Sequence, residues 1–129
     1  MCDFNDIYNR YKKSWQYRCD LKDVKVYEPD KIGVYRAKLN GEVVYVGKAV
    51  EANRGTKNAH CWGLHKRLCD YIRSSPSSRE TGAGPDMYLH RNEIEIETIE
   101  FDYSDENASL VSLLERLFIY SLKPLWNKD

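Results

Sequence analysis

No stretch of the 129 residues is apolar over anything near the length needed to cross a bilayer, and the first twenty residues, MCDFNDIYNRYKKSWQYRCD, lack the apolar core of a secretory signal. The expectation is an intracellular, cytoplasmic protein with no membrane partner. Cysteine is scarce, and Cys2, Cys19, Cys61 and Cys69 form no C-x-x-C pair, so free thiols in a reducing compartment are expected. His60, Cys61, His65 and Cys69 cluster in sequence, with His65 and Cys69 at i,i+4, but without the tight ligand pairs that mark zinc. Net charge is also lacking. Twenty basic side chains offset twenty acidic ones, whereas a nucleic-acid binder is usually basic overall. Neither an internal repeat nor a heptad array is visible, and the length suits one domain with a real core.

What is present is unevenly spread. Residues 54–73 carry Arg54, Lys57, Lys66, Arg67 and Arg73 against the single acid Asp70. Residues 93–106 carry Glu93, Glu95, Glu97, Glu100, Asp102, Asp105 and Glu106 and no base. A neutral total can hide a basic face and an acidic back. The acidic run reads as a solvated surface.

Apolar periodicity then sorts the chain into elements. Residues 3–19 read as an amphipathic helix, with Phe4, Tyr8, Tyr11 and Trp15 on one stripe that docks on the core or, alternatively, touches nucleic acid. IGVYRAKL at 32–39 and EVVYVG at 42–47 read as strands joined at Asn40-Gly41, a strong hairpin signal. A two-residue loop there would pair Leu39 with Glu42 and send Tyr35 and Tyr45 to opposite faces, because side chains alternate. A three-residue loop at 39–41 would set the two tyrosines directly opposite each other, and is expected if they share one site. Residues 48–61 read as a long loop and 62–74 as a helix with Leu64, Leu68, Tyr71 and Ile72 buried. Residues 75–92 are Ser-, Gly- and Pro-rich and read as a surface loop. IEIETIEF at 94–101 alternates like a half-buried strand, with a phase shift that suggests a bulge near Thr98. Residues 107–122 form the most apolar helix, ended by Pro124.

Glu115 is the most informative single residue. Its neighbours on the helix face include Val111, Phe118 and Ile119. A carboxylate among such groups is costly unless it pairs with a base or binds a cation. An ion pair with a buried Arg or Lys is the plain structural alternative to a Mg²⁺ or Mn²⁺ ligand. Tyr35 and Tyr45 sit mid-strand, where tyrosine is common, and Lys48 follows Gly47 at a strand end.

The ordered set says more than its parts. Gly33-Val34-Tyr35, then Tyr45-Val46-Gly47-Lys48 with ten residues between the tyrosines, then a helix bearing K-R-L-x-x-Y, then Glu115 on a leucine-rich helix, then P-L-W-N with Asn127 twelve residues beyond Glu115, resembles the GIY-YIG nuclease superfamily. The resemblance covers about residues 31–129. It implies an α+β fold: a small central antiparallel three-stranded β-sheet flanked by helices, with residues 1–30 as an N-terminal helical extension. It also implies a divalent-metal-dependent DNA endonuclease, similar to the restriction-type or phage members, acting on double-stranded DNA.

In that family two tyrosines, an arginine and a glutamate form the active site; here they would be Tyr35, Tyr45, Arg67 and Glu115. Lys48, Tyr71 and Asn127 match further positions that are often functional. Glu115 would hold Mg²⁺ (or Mn²⁺), and Arg67 would stabilise phosphoryl charge. Tyr35 would be the general base, and Lys48 would lower the tyrosine pKa, bind phosphate, or both. Tyr45 would orient water or phosphate, and Asn127 would hold the network by hydrogen bonds. Some members carry histidine where Tyr71 stands, which leaves the choice of base open. Arg54, Lys57, His65, Lys66 and Arg73 are the expected DNA contacts. Alternatives are a catalytically inactive DNA-binding module of the same fold, a structure-specific repair nuclease, or an interaction protein with a buried Glu115–Arg bridge. A homodimer or larger homo-oligomer is left open.

Overall fold

The computed structural model describes residues 4–24, 31–51, 63–72 and 84–127. In chain order these form α1 (Phe4–Tyr11), β1 (Gln16–Asp20), a short 3₁₀ turn (Leu21–Asp23), β2 (Ile32–Leu39), β3 (Glu42–Ala49), α2 (Gly63–Asp70), α3 (Gly84–Leu89), β4 (Ile94–Phe101) and α4 (Asp105–Leu122). The strands make one antiparallel sheet in the order β1-β4-β2-β3. The α+β expectation holds, but the sheet has four strands where three were expected. Among the described residues no helix is long and apolar enough to cross a membrane.

The fourth strand comes from the segment read as the second half of an N-terminal helix. The helix stops at Tyr11, and Gln16–Asp20 pairs with β4. The reason is tertiary. β4 is already bonded to β2 on one edge, and β1 satisfies the backbone groups on its other edge. The aromatic stripe does dock on the core: Tyr8 and Trp15 pack on Phe118 at ring-centroid distances of 5.5 and 4.9 Å, and Tyr11 packs on Phe101 at 5.8 Å.

The β2–β3 hairpin resolves the register question in an unexpected way. Leu39 pairs with Glu42, so the loop is the two-residue one, with Asn40 and Gly41 both at positive φ (54° and 84°). That is the pattern of the tight hairpin turn that Asn-Gly favours. The expected three-residue loop is not formed. A β-bulge then inserts one extra residue, Val44, between the Lys38–Val43 and Ala37–Tyr45 pairs. Tyr35 therefore pairs with Gly47 and Ala37 with Tyr45, which returns both tyrosines to one face as diagonal neighbours rather than direct partners.

β4 contains no bulge at Thr98. Its register with β2 runs unbroken from Ile32–Phe101 to Leu39–Ile94, and the irregularity with β1 lies between Tyr17 and Cys19. The apolar phase shift reflects burial on both faces. Ile94 and Ile96 enter one core cluster, and Ile99 enters the other. The acidic run is solvated as expected at Glu93, Glu95, Asp102, Asp105 and Glu106, whereas Glu97 and Glu100 are partly buried. Glu97 pairs with Arg36 at 2.6 Å, Glu100 with Arg18 at 3.0 Å, and Asp102 with Lys31.

The two clusters lie on opposite faces of the sheet. On one, Tyr35, Ala37, Val44, Ile94 and Ile96 pack with Leu64, Leu68 and Tyr71 from α2 and its end. α3 adds Met87, fully buried, so part of the segment read as a surface loop is a core helix. On the other face, Ile32, Val34, Val46 and Ile99 pack with Val111, Leu114 and Phe118 of α4. The Ser104 hydroxyl caps α4 by accepting from the Asn107 N–H at 3.0 Å. Cys19 and Cys69 are buried and joined in no disulfide, and burial raises the Cys19 pKa to about 12.

Candidate functional site

Four elements bring the site residues to the margin of the sheet at β3. Tyr35 (β2), Tyr45 (β3) and Tyr71 (just past α2) form a ring cluster, with centroids 6.1–6.4 Å apart. The Tyr35 and Tyr71 hydroxyls lie 2.6 Å apart. α2 is shorter than expected, but Tyr71 N–H donates to the Leu68 carbonyl at 3.2 Å, so a tightened last turn still sets the side chain in place. The ring of Tyr35 lies over Gly47. A Cβ there would sit 2.4 Å from the Tyr35 hydroxyl and 2.5 Å from Cζ. The glycine of the second signature is thus the space that the tyrosine of the first one occupies.

Lys48 and Glu115 approach from the opposite face. Lys48 pairs with Val34, and its ammonium donates to Ser112 Oγ on α4 at 3.2 Å. Glu115, half-buried and one turn further along α4, has its carboxyl pKa raised, chiefly by desolvation, with Lys48, Arg116 and Arg67 opposing the rise. No hydrogen bond or salt bridge joins Glu115 to another described residue. Arg67 projects from α2, and its charge opposes the raised pKa of Tyr35, Tyr71 and Glu115 alike.

The C-terminal segment seals that edge. Trp126 N–H donates to the carbonyl of the bulged Val44 at 2.8 Å. The Asn127 side chain accepts from Val46 N–H and donates to Val46 carbonyl, both at 2.8 Å. An amide that does both imitates a neighbouring strand, and it fixes the backbone between Tyr45 and Gly47.

A search of solved structures finds the same fold elsewhere. The GIY-YIG N-terminal endonuclease domain of UvrC from Thermotoga maritima, bound to magnesium, matches with a TM-score of 0.53 and 25% identity, covering 83% of this chain and 93% of that one. A tyrosine-to-phenylalanine mutant of that domain, also bound to its catalytic divalent cation, matches with a TM-score of 0.56 and 23% identity over 84% and 96%. The chain has the GIY-YIG fold. No family model matches it, and no curated protein does.

Of the seven residues expected to be catalytic, Tyr35, Tyr45 and Tyr71 form one ring cluster, Lys48 and Glu115 lie on the other face, Arg67 projects from α2, and Asn127 bonds to the β3 backbone. Burial pushes the Tyr35 phenol well above its ordinary pKa, Tyr71 and Tyr45 add to the rise, and Arg67 opposes it. Lys48, expected to lower that pKa, bind phosphate or both, reaches the α4 face, where its ammonium donates to Ser112 Oγ. Tyr71 is raised as well, again chiefly by burial. His65, expected at the DNA surface, is wholly buried on α2 and cannot meet a phosphate there. Lys66 is partly exposed but shared between Glu51 at 3.2 Å and Asp70 at 3.8 Å. Arg54, Lys57 and Arg73, and the His60–Cys61 pair considered for zinc, lie outside the described residues.

Three groups were missed in the sequence. Glu115 opens onto a groove of about 600 Å³ that continues past Arg116, Tyr120 and Lys123 to Pro124 and Asn127. The spacing i, i+4, i+7 of Arg116, Tyr120 and Lys123 was the available signal, since it puts a cation, an aromatic ring and a second cation on one stripe.

Proposed function

We propose that the protein is a divalent-metal-dependent DNA endonuclease whose reaction centre is the Glu115 carboxylate and the Arg67, Lys48 and tyrosine groups around it. The observation that carries this reading is Glu115 itself. It is a half-buried carboxylate with cationic neighbours but no hydrogen-bonded or ion-paired partner among the described residues. A carboxylate that loses water without gaining a partner costs stability, which a bound cation would offset.

The donor set fits Mg²⁺. Among the described residues no group of three His, Cys, Asp or Glu could enclose a metal. A single carboxylate is compatible with an ion that keeps several waters and uses substrate phosphate for the rest. The UvrC domain that shares the fold has magnesium as its catalytic divalent cation. Held by Glu115, such an ion would act as a Lewis acid on the phosphate and its leaving oxygen.

The protein groups supply the remainder. Arg67 is placed to stabilise charge developing on the phosphoryl oxygens. Lys48, anchored on Ser112, adds a fixed positive charge at the mouth of the site. Tyr35 is the base that the signature implies, but burial opposes its ionisation, so it can take a proton only where positive charge beyond Arg67 reaches it. Tyr71 and Tyr45 hold its orientation. Asn127 is a positioning residue that acts through the Val46 backbone.

The test is incubation with supercoiled plasmid and Mg²⁺ or Mn²⁺, with and without chelator. Metal-dependent nicking or linearisation, lost in Glu115→Gln with DNA binding retained, is the expected result. Binding without cleavage at any metal would leave the inactive DNA-binding module. Absence of both would remove the nucleic-acid reading.

A further inference from the structure

The groove beside Glu115 is built for more than a scissile phosphate. Tyr120 is 80% exposed, so the face of its ring is open to a ligand. Arg116 lies one turn before it and Lys123 about one turn after, all lining the same groove as Glu115. Seven residues of helix separate the two cations by about 10 Å, which is the span of a few nucleotide steps along a strand.

Lys123 adds an independent observation. It closes α4 in the left-handed conformation (φ 48°), where helix ends favour glycine, and its N–H donates to the Ile119 carbonyl at 2.9 Å. A non-glycine side chain there is strained, so a lysine at this position keeps its ammonium at the cost of a better cap. Paired cations flanking an exposed aromatic ring suit a single strand, whose phosphates meet the cations and whose unpaired base stacks on the ring.

Resting on the nuclease reading of Glu115, we infer that the Arg116–Tyr120–Lys123 stripe is a subsite for an unpaired DNA strand leaving the cleavage site, which makes duplex carrying a single-stranded tail the preferred substrate class. Arg116 and Lys123 contact backbone phosphates, and Tyr120 stacks on an exposed base.

The experiment measures binding by fluorescence anisotropy in chelator, with a short blunt duplex and the same duplex extended by an unpaired tail. Wild type binds the tailed DNA more tightly. Tyr120→Leu, which keeps bulk and helix propensity, removes that preference, weakening tailed DNA about fivefold or more and leaving the blunt duplex unchanged. Lys123→Gly relieves the left-handed strain, so its thermal midpoint holds or rises. Its log–log salt slope on tailed DNA falls by about 0.7, the value for one single-strand phosphate contact. The subsite is overturned if both variants bind tailed DNA like wild type while wild type cleaves plasmid. It is also overturned if Tyr120→Leu changes only the oligomeric state, since Tyr120 borders a second, more apolar hollow with Phe4 and Leu117. If wild type cleaves no DNA, the nuclease reading fails first and the subsite with it.

Discussion

Gly47→Ala is the substitution for which the structure fixes the largest consequence from the smallest chemical change. A methyl group at residue 47 would lie 2.4, 2.5 and 2.9 Å from Oη, Cζ and Cε2 of Tyr35. All are below real contact distances, so one partner must move. Tyr35 is the harder one to move, because it is 1% exposed, packed against two other tyrosine rings and 2.6 Å from the Tyr71 hydroxyl. In an open strand the change would stabilise by roughly 0.5–1 kcal/mol through backbone entropy. Overpacking a filled core costs about 1–3 kcal/mol, and a rigid ring contacted at three atoms belongs to the upper part of that range. The net expectation is a loss of about 2 kcal/mol. That corresponds to a fall of roughly 6–10 °C in Tm for a chain of this length. Displacing the Tyr35 hydroxyl by even about 1 Å should lower cleavage on the order of 100-fold. Thermal unfolding by circular dichroism and plasmid cleavage read the two effects. Tyr35→Phe should not rescue Gly47→Ala, because Cζ and Cε2 still clash, whereas Tyr35→Val should recover stability without activity. A Gly47→Ala protein as stable and active as wild type would refute the packing of Tyr35 over residue 47.

Three further outcomes follow from the same geometry. Glu115→Gln should be at least as stable as wild type at neutral pH: a carboxyl whose folded pKa is raised contributes stability that is present below its unfolded pKa and lost as pH rises through the folded value. Thermal melts should converge in acid, and millimolar Mg²⁺ should raise the Tm of wild type but not of the variant. If Tyr35 is the base, cleavage should rise with pH across neutrality into the alkaline range, because burial holds the phenol protonated; a profile flat from mild acid to pH about 9 would move the base role elsewhere. Asn127→Ala loses two hydrogen bonds to Val46, a cost of about 1–3 kcal/mol, and Asn127→Asp should fare no better, since it sets a carboxylate against the Val46 carbonyl; full stability of either in a melt would refute the edge-sealing role.

The errors in the sequence reading share a physical cause. The three-residue loop was expected because face-sharing by Tyr35 and Tyr45 demanded a particular parity, and parity was sought in the turn. Asn40-Gly41 kept its intrinsic two-residue turn, and the bulge at Val44 supplied the missing residue instead. The bulge carbonyl is then taken up by Trp126, more than eighty residues away. A local window holds no trace of that partner. The same holds for Gln16–Asp20, whose strand state depends on β4, and for Glu97 and Glu100, which neighbouring strands bring beside Arg36 and Arg18. His65 failed for a related reason: composition marked residues 54–73 as a basic surface, but only the docking of α2 decides which of its sides is buried.

By itself the sequence determined the existence of the long elements, the Asn-Gly turn and the ordered signature, because periodicity and motif spacing are local properties of the chain. Glu115 was legible as an anomaly for the same reason, a carboxylate among apolar helix positions. Tertiary structure alone decided three things about that site. It put Tyr35 and Lys48 on opposite faces of the sheet, and Arg67 is the cation that opposes the rise of the tyrosine's pKa. It left Glu115 without an ion-paired or hydrogen-bonded partner among the described residues. It also turned Arg116, Tyr120 and Lys123 into one wall of a groove. Burial, pairing and shared surface depend on what arrives from distant parts of the chain, and no local pattern encodes that.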